Sequence, residues 1–219
     1  LKHYQKLGSL LTDRIDQPER ALDAWESAYK LDDSNLKARK TLERLYVDGA
    51  HWARLEALFA DKDEWNELAR MLEQQVGGNI EDDQKIELLL RAARVWRENA
   101  DDVARAERAL DRIHQQFDPQ NEDAALQLMD IYRDAENWAG LDGALQIVLG
   151  HRESPEHRRP IQSQLAALHA NQLEDYEVAF AWMGQIVTED PVQFKDADKL
   201  EWLAAKIDGW FSVVDLYRE

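Results

Sequence analysis

Trp52-Ala53-Arg54-Leu55 with Leu58 returns 86 residues later as Trp138-Ala139-Gly140-Leu141 with Leu145, and after a further 72 as Trp210-Phe211-Ser212-Val213 with Leu216. A fourth copy, Trp65-Asn66-Glu67-Leu68 with Leu72, follows the first directly. The offset of 86 also relates Asn35 to Asn121, Leu42 to Leu128 and Tyr46 to Tyr132. The offset of 72 relates Leu128 to Leu200 and Ile131 to Leu203. A bulky residue that recurs in one local context marks an internal repeat, and the repeat period constrains the fold before any other feature. The two spacings differ by 14 residues, about the length of the extra Trp65 segment, so one unit has duplicated its Trp helix locally. The repeat units are expected at about 1–78, 79–152 and 153–219 of a single domain, as part of a longer repeat protein.

Each unit reads as helical. With only 9 Gly and 5 Pro in 219 residues, the chain lacks the turns an all-β fold needs. Lys2 to Asp13 places Tyr4, Leu7, Leu10 and Leu11 on one stripe. Pro18-Glu19-Arg20 opens a second helix behind Asp16, since Pro is tolerated in a first turn. Helices follow at about 36–47, 52–60, 64–76, 82–98, 103–117, 122–133, 138–149, 154–171, 176–188 and 195–206, with a last one from Trp210. Pro160 lies deep enough in its helix to imply a kink or a late start. The fold class is all-α, with 12 or 13 helices and no β-sheet.

Within each unit the first hairpin resembles a tetratricopeptide repeat, whose pattern is Trp-x2-Leu-Gly-x2-Tyr, then Ala-x3-Phe, then Pro. Unit one reads Tyr4-x2-Leu7-Gly8-x2-Leu11, then Ala21-x3-Trp25, with Asp33 in place of Pro. Unit two has Leu89, Ala92, Ala93 and Trp96, then Ala106-x3-Leu110 and Pro119. Unit three has Gln162, Leu165, Ala166 and His169, then Ala179-x3-Met183 and Pro191. Small residues let two helices approach, and large ones fill the holes between hairpins. The second hairpins, led by Trp52, Trp138 and Trp210, match the pattern less closely. The resemblance implies a right-handed α-solenoid of antiparallel hairpins that binds peptides or proteins on its concave, first-helix face.

Composition narrows the partners. A formal net charge of −17 disfavours nucleic acid and anionic membrane, which both reward Lys and Arg. No apolar run approaches the roughly 20 residues of a membrane span. The absence of Cys excludes disulfides and thiolate metal sites. Leu1 is not a natural start residue, so a cytoplasmic location is favoured while a secreted or periplasmic one stays open.

Candidate chemistry is sparse. His169 falls on an apolar stripe and reads as a core residue; His151 and His157 are six apart, without metal-ligand spacing. Asp61-Lys62-Asp63-Glu64 and Glu81-Asp82-Asp83 stand at helix starts, where the helix dipole accounts for them. No cofactor, metal or catalytic residue is expected, and the chain reads as non-catalytic. Two features point to binding. Arg91, Arg94 and Arg97 form a basic row in an acidic chain, suited to a peptide carboxylate unless Glu87, Glu98 or Asp101 pairs with them. Trp202 stands where the other units have Arg44 and Asp130, and with Phe211 and Tyr217 suggests an exposed end that supports self-association. The expected function is a protein-protein interaction scaffold, with a regulatory or localisation segment of a larger enzyme, or a self-assembling repeat array, as the alternatives.

Overall fold

The computed structural model describes residues 1–15, 17–189 and 196–218, apart from the Asp13 side chain. Asp16 and Pro191, named above as a helix cap and a repeat signature, lie outside these residues. Thirteen α-helices and no strand occur among the described residues.

Two compact units divide at Leu68/Ala69. The first holds α1 (Lys2–Leu10), α2 (Pro18–Leu31), α3 (Leu36–Asp48), α4 (Trp52–Ala60) and the start of α5 (Trp65–Gln75). The second holds the rest of α5, α6 (Asp82–Glu98), α7 (Val103–Gln116), α8 (Glu122–Asp134), α9 (Trp138–Gly150), α10 (Pro155–Asn171), α11 (Tyr176–Glu189), α12 (Ala197–Ile207) and α13 (Trp210–Leu216). The heaviest packing joins α1 to α2, α6 to α7, α8 to α9 and α10 to α11, and lighter contacts connect α2 to α3, α7 to α8, α9 to α10 and α11 to α12. Helix pairs stacked on the next pair are the pattern of hairpin repeats.

The first helix departs from the expected run to Asp13. It gives way at Leu11 to a wider π-type turn over Leu11–Ile15, where Thr12 Oγ1 donates to the Gly8 carbonyl at 2.9 Å. At Pro160 the late start does not occur. α10 begins at Pro155 behind the Ser154 cap and carries Pro160 inside, so only one helical hydrogen bond is forfeited in its second turn.

The repeat is written most clearly in the turns. Six non-glycine residues have left-handed backbone: Ala50, Asp63, Asp101, Glu136, Glu174 and Asp208. Each stands two residues before the first residue of a helix, and four of those first residues are Trp52, Trp65, Trp138 and Trp210. In the four Trp turns the next backbone N–H donates five residues back: His51 to Tyr46, Glu64 to Phe59, Asn137 to Tyr132 and Gly209 to Ala204, at 2.7–3.1 Å. In the other two it donates six back, Asp102 to Trp96 and Asp175 to His169. Such bonds satisfy carbonyls left over at the preceding helix end. Left-handed backbone costs a residue with a Cβ about 1–2 kcal/mol, and glycine escapes that cost. Glu136→Gly is therefore expected to raise stability by about 0.5–1 kcal/mol, read as a higher urea midpoint with an unchanged slope.

Further cross-braces obey the same offset. The Asn35 side chain accepts from the Ala38 N–H at the start of α3, and the Asn121 side chain from the Ala124 N–H at the start of α8, both at 3.0 Å. Tyr46 donates its hydroxyl to Glu26 and Tyr132 donates to Asp111, both at 2.9 Å. Burial, then the hydrogen bond to the carboxylate, then its charge hold both phenols well above the ordinary tyrosine range. A folded pKa above the unfolded one gives stability that is complete below about pH 10 and is lost as pH rises through the folded value. Alkaline unfolding should thus steepen above about pH 10, and Tyr46→Phe with Tyr132→Phe should flatten that limb.

The largest buried side chains include Trp25 and Trp96, the aromatic positions of the first hairpins. Ala21, Ala106 and Ala179 are fully buried and let the paired helices close up. A Cβ at Gly8 would stand 2.6 Å from Trp25 Nε1, so the glycine is there to admit the indole. Trp52, Trp65 and Trp138 are only half-buried, and Trp210 is exposed. Pro119 lies in the turn between α7 and α8.

Candidate functional site

α10 is an ordinary amphipathic helix on one side and unusual on another. Ser163, Ala167 and Ala170 follow one another at helical spacing, so a strip of the helix bears almost no side-chain bulk. α12 runs past that strip and presents Lys199, Trp202 and Leu203, and Met183 from α11 contributes to the lining. Between them lies an apolar groove of about 420 Å³. The volume falls within the range of ligand pockets.

Trp202 forms one wall and is 47% exposed. Its ring meets Tyr176 of α11 edge-on, 5.7 Å between centroids at 83°. The Lys206 ammonium lies 5.3 Å from the Trp202 ring centre and 5.5 Å from that of Tyr176. Edge-to-face packing and a cation over the ring hold the indole in place while leaving much of it open. Trp202 thus belongs to a groove between α10 and α12, whereas Phe211 and Tyr217 are exposed on and just after α13.

The other units show why this groove exists. Ala170 and Trp202 correspond by repeat offset to Arg97 and Asp130, and those to Thr12 and Arg44. Arg97 faces Asp130 at 3.8 Å and so closes the gap between α6 and α8 with an ion pair. Thr12 and Arg44 line a polar hollow in the first unit. At α10 and α12 the charged pair is replaced by a methyl and an indole, and the same gap becomes apolar and open.

The basic row on α6 is largely neutralised. Arg91 pairs with Glu87 at 3.0 Å and Arg97 also approaches Glu98 at 3.8 Å, while Arg94 is exposed on the same helix. Ala167 occupies the Arg94 position of the later repeat, so the row and the groove are successive versions of one helix face.

The histidines serve packing contacts. His169 is nearly buried and its Nε2 lies 3.0 Å from Asp142 Oδ1 across the α9–α10 junction. His157 Nδ1 lies 2.9 Å from Ser154 Oγ, and His151 Nε2 lies 2.7 Å from the Gln120 carbonyl. Gln162, fully buried, donates to Glu189, which also receives the Arg158 guanidinium. Glu81 and Gln84 form a reciprocal cap at the start of α6, which gives the acidic cluster there a structural role. No group of three potential metal ligands occurs among the described residues, and no described helix is long and apolar enough to cross a membrane.

No family of known proteins matches the sequence, and no curated protein is similar to it.

Proposed function

We propose that the chain is a non-catalytic interaction scaffold of tetratricopeptide-like hairpins, arranged as a solenoid. Its binding surface is the row of first-helix faces, and its most selective position is the α10–α12 groove. There it takes a large apolar side chain of a peptide or protein partner, which lies against Trp202 and above Ala167 and Ala170. The observation that carries this reading is the exchange of the Arg97–Asp130 ion pair for Ala170 and Trp202 at the equivalent place. A half-exposed, pre-positioned indole beside a small-residue floor offers apolar contact at little entropic cost, as interface anchors do. Lys199 lies at the groove wall and can meet a carbonyl or carboxylate next to the inserted residue.

Panning a random peptide library on the immobilised chain tests the proposal. Enriched sequences should share a large apolar residue, aromatic or Leu/Met, at one fixed position. Enrichment of acidic sequences without such a residue would instead assign binding to the α6 arginines.

A further inference from the structure

Both terminal helices carry apolar stripes that the internal helices keep covered. On α1, Leu7 and Leu10 are 38% and 45% exposed. Their repeat equivalents on α10 are Leu165 and Leu168, which are 0% and 6% exposed. What covers those two is α9, whose Leu141, Leu145 and Leu149 form one cluster with them, flanked by Trp138. α13 is the repeat equivalent of α9: Trp210 stands for Trp138, Val213 for Leu141 and Tyr217 for Leu145. Around it Phe211, Val214 and Tyr217 are exposed, Phe211 at 89%.

Thus α1 displays the receiving half of the α9–α10 junction, and α13 displays the covering half. At that junction the polar pair Asp142–His169 also recurs by offset, as the apolar Val214 and Leu11. The charges beside the two stripes are complementary as well. Lys2 and Lys6 lie one turn apart on α1, and Asp198 and Glu201 lie close enough to Tyr217 to act on its hydroxyl.

We propose that α13 of one copy packs on α1 of a second copy, head to tail, in the manner in which α9 packs on α10 within the chain. The two faces differ, so the contact is heterologous and each added copy presents a free face to the next. The inference rests on the repeat reading of the fold and is independent of the peptide groove, so either can fail alone.

Sedimentation velocity on the whole chain, from micromolar to millimolar concentration, tests it. The weight-average mass should climb above the 25.4 kDa of one chain. Leu7→Glu and Phe211→Glu should each remain at the one-chain mass, with helicity checked by circular dichroism. Leu10→Glu and Tyr217→Glu serve if either first choice loses helix. An equimolar mixture of an α1 variant with an α13 variant should then form a capped species of two chains, since each supplies the face the other lacks. A wild-type chain that stays at the one-chain mass throughout overturns the proposal. So does association of Leu7→Glu with itself, which would mean α13 pairs with its own kind, and so does a mixture that yields no two-chain species.

Discussion

A Trp96→Ala variant loses about 3–5 kcal/mol of stability in urea unfolding. Trp96 is fully buried in the α6–α7 hairpin, and its Nε1–H donates to Glu73 Oε1 at 3.0 Å. The Arg105 guanidinium lies 4.6 Å from its ring centre. Truncation therefore removes the transfer energy of an indole, leaves a cavity that helices on both sides cannot close, and strips Glu73 of a donor. Trp96→Phe keeps most of the volume but not the hydrogen bond, and should cost about 1–2 kcal/mol. Trp138→Ala provides the contrast. Trp138 is half-buried against the α9–α10 cluster, so its loss should be clearly smaller than that of Trp96. Equal losses at the two sites would mean that the recurring Trp, rather than the hairpin aromatic, carries the core.

The second large effect concerns binding. Trp202→Ala should weaken peptides selected on the wild-type chain by about 2 kcal/mol, or roughly 30-fold, as expected for a central interface anchor. Stability should change little, because the indole is half exposed and α12 is anchored by Leu200, Leu203 and Ala204. Isothermal titration of one selected peptide against both chains reads the change. An affinity shift below about threefold, under 1 kcal/mol, would remove Trp202 from the site.

Much of this architecture was legible in the sequence because it is written in spacing. The offsets of 86 and 72 that align the Trp copies also align the left-handed residues Ala50, Glu136 and Asp208. No glycine marks those turns, so only the repeat arithmetic could have located them. The sequence also singled out Trp202 by its mismatch with Arg44 and Asp130. What it could not give was the partner of that mismatch. Seeing the groove requires knowing that α12 passes Ala167 and Ala170, which is a long-range contact. Small residues at positions 163, 167 and 170 on an otherwise polar face were the available signal. The ion pairs that neutralise Arg91 and Arg97 depend on rotamers and on α8, beyond the reach of pattern. The π-type turn at Leu11–Ile15 has no sequence mark either, since its residues continue the helical stripe.

The α10–α12 groove is the centre of the functional account, and blocking it without disturbing the fold tests that account most directly. Ala167 is exposed on the groove floor, so Ala167→Trp fills the space from the solvent side without entering the core. Peptide selection is run in parallel on the wild-type and Ala167→Trp chains, with matched circular dichroism. The account predicts that the apolar-anchored peptides enriched on the wild type are lost on the blocked chain. Retention of the same peptides at the same affinity would contradict it.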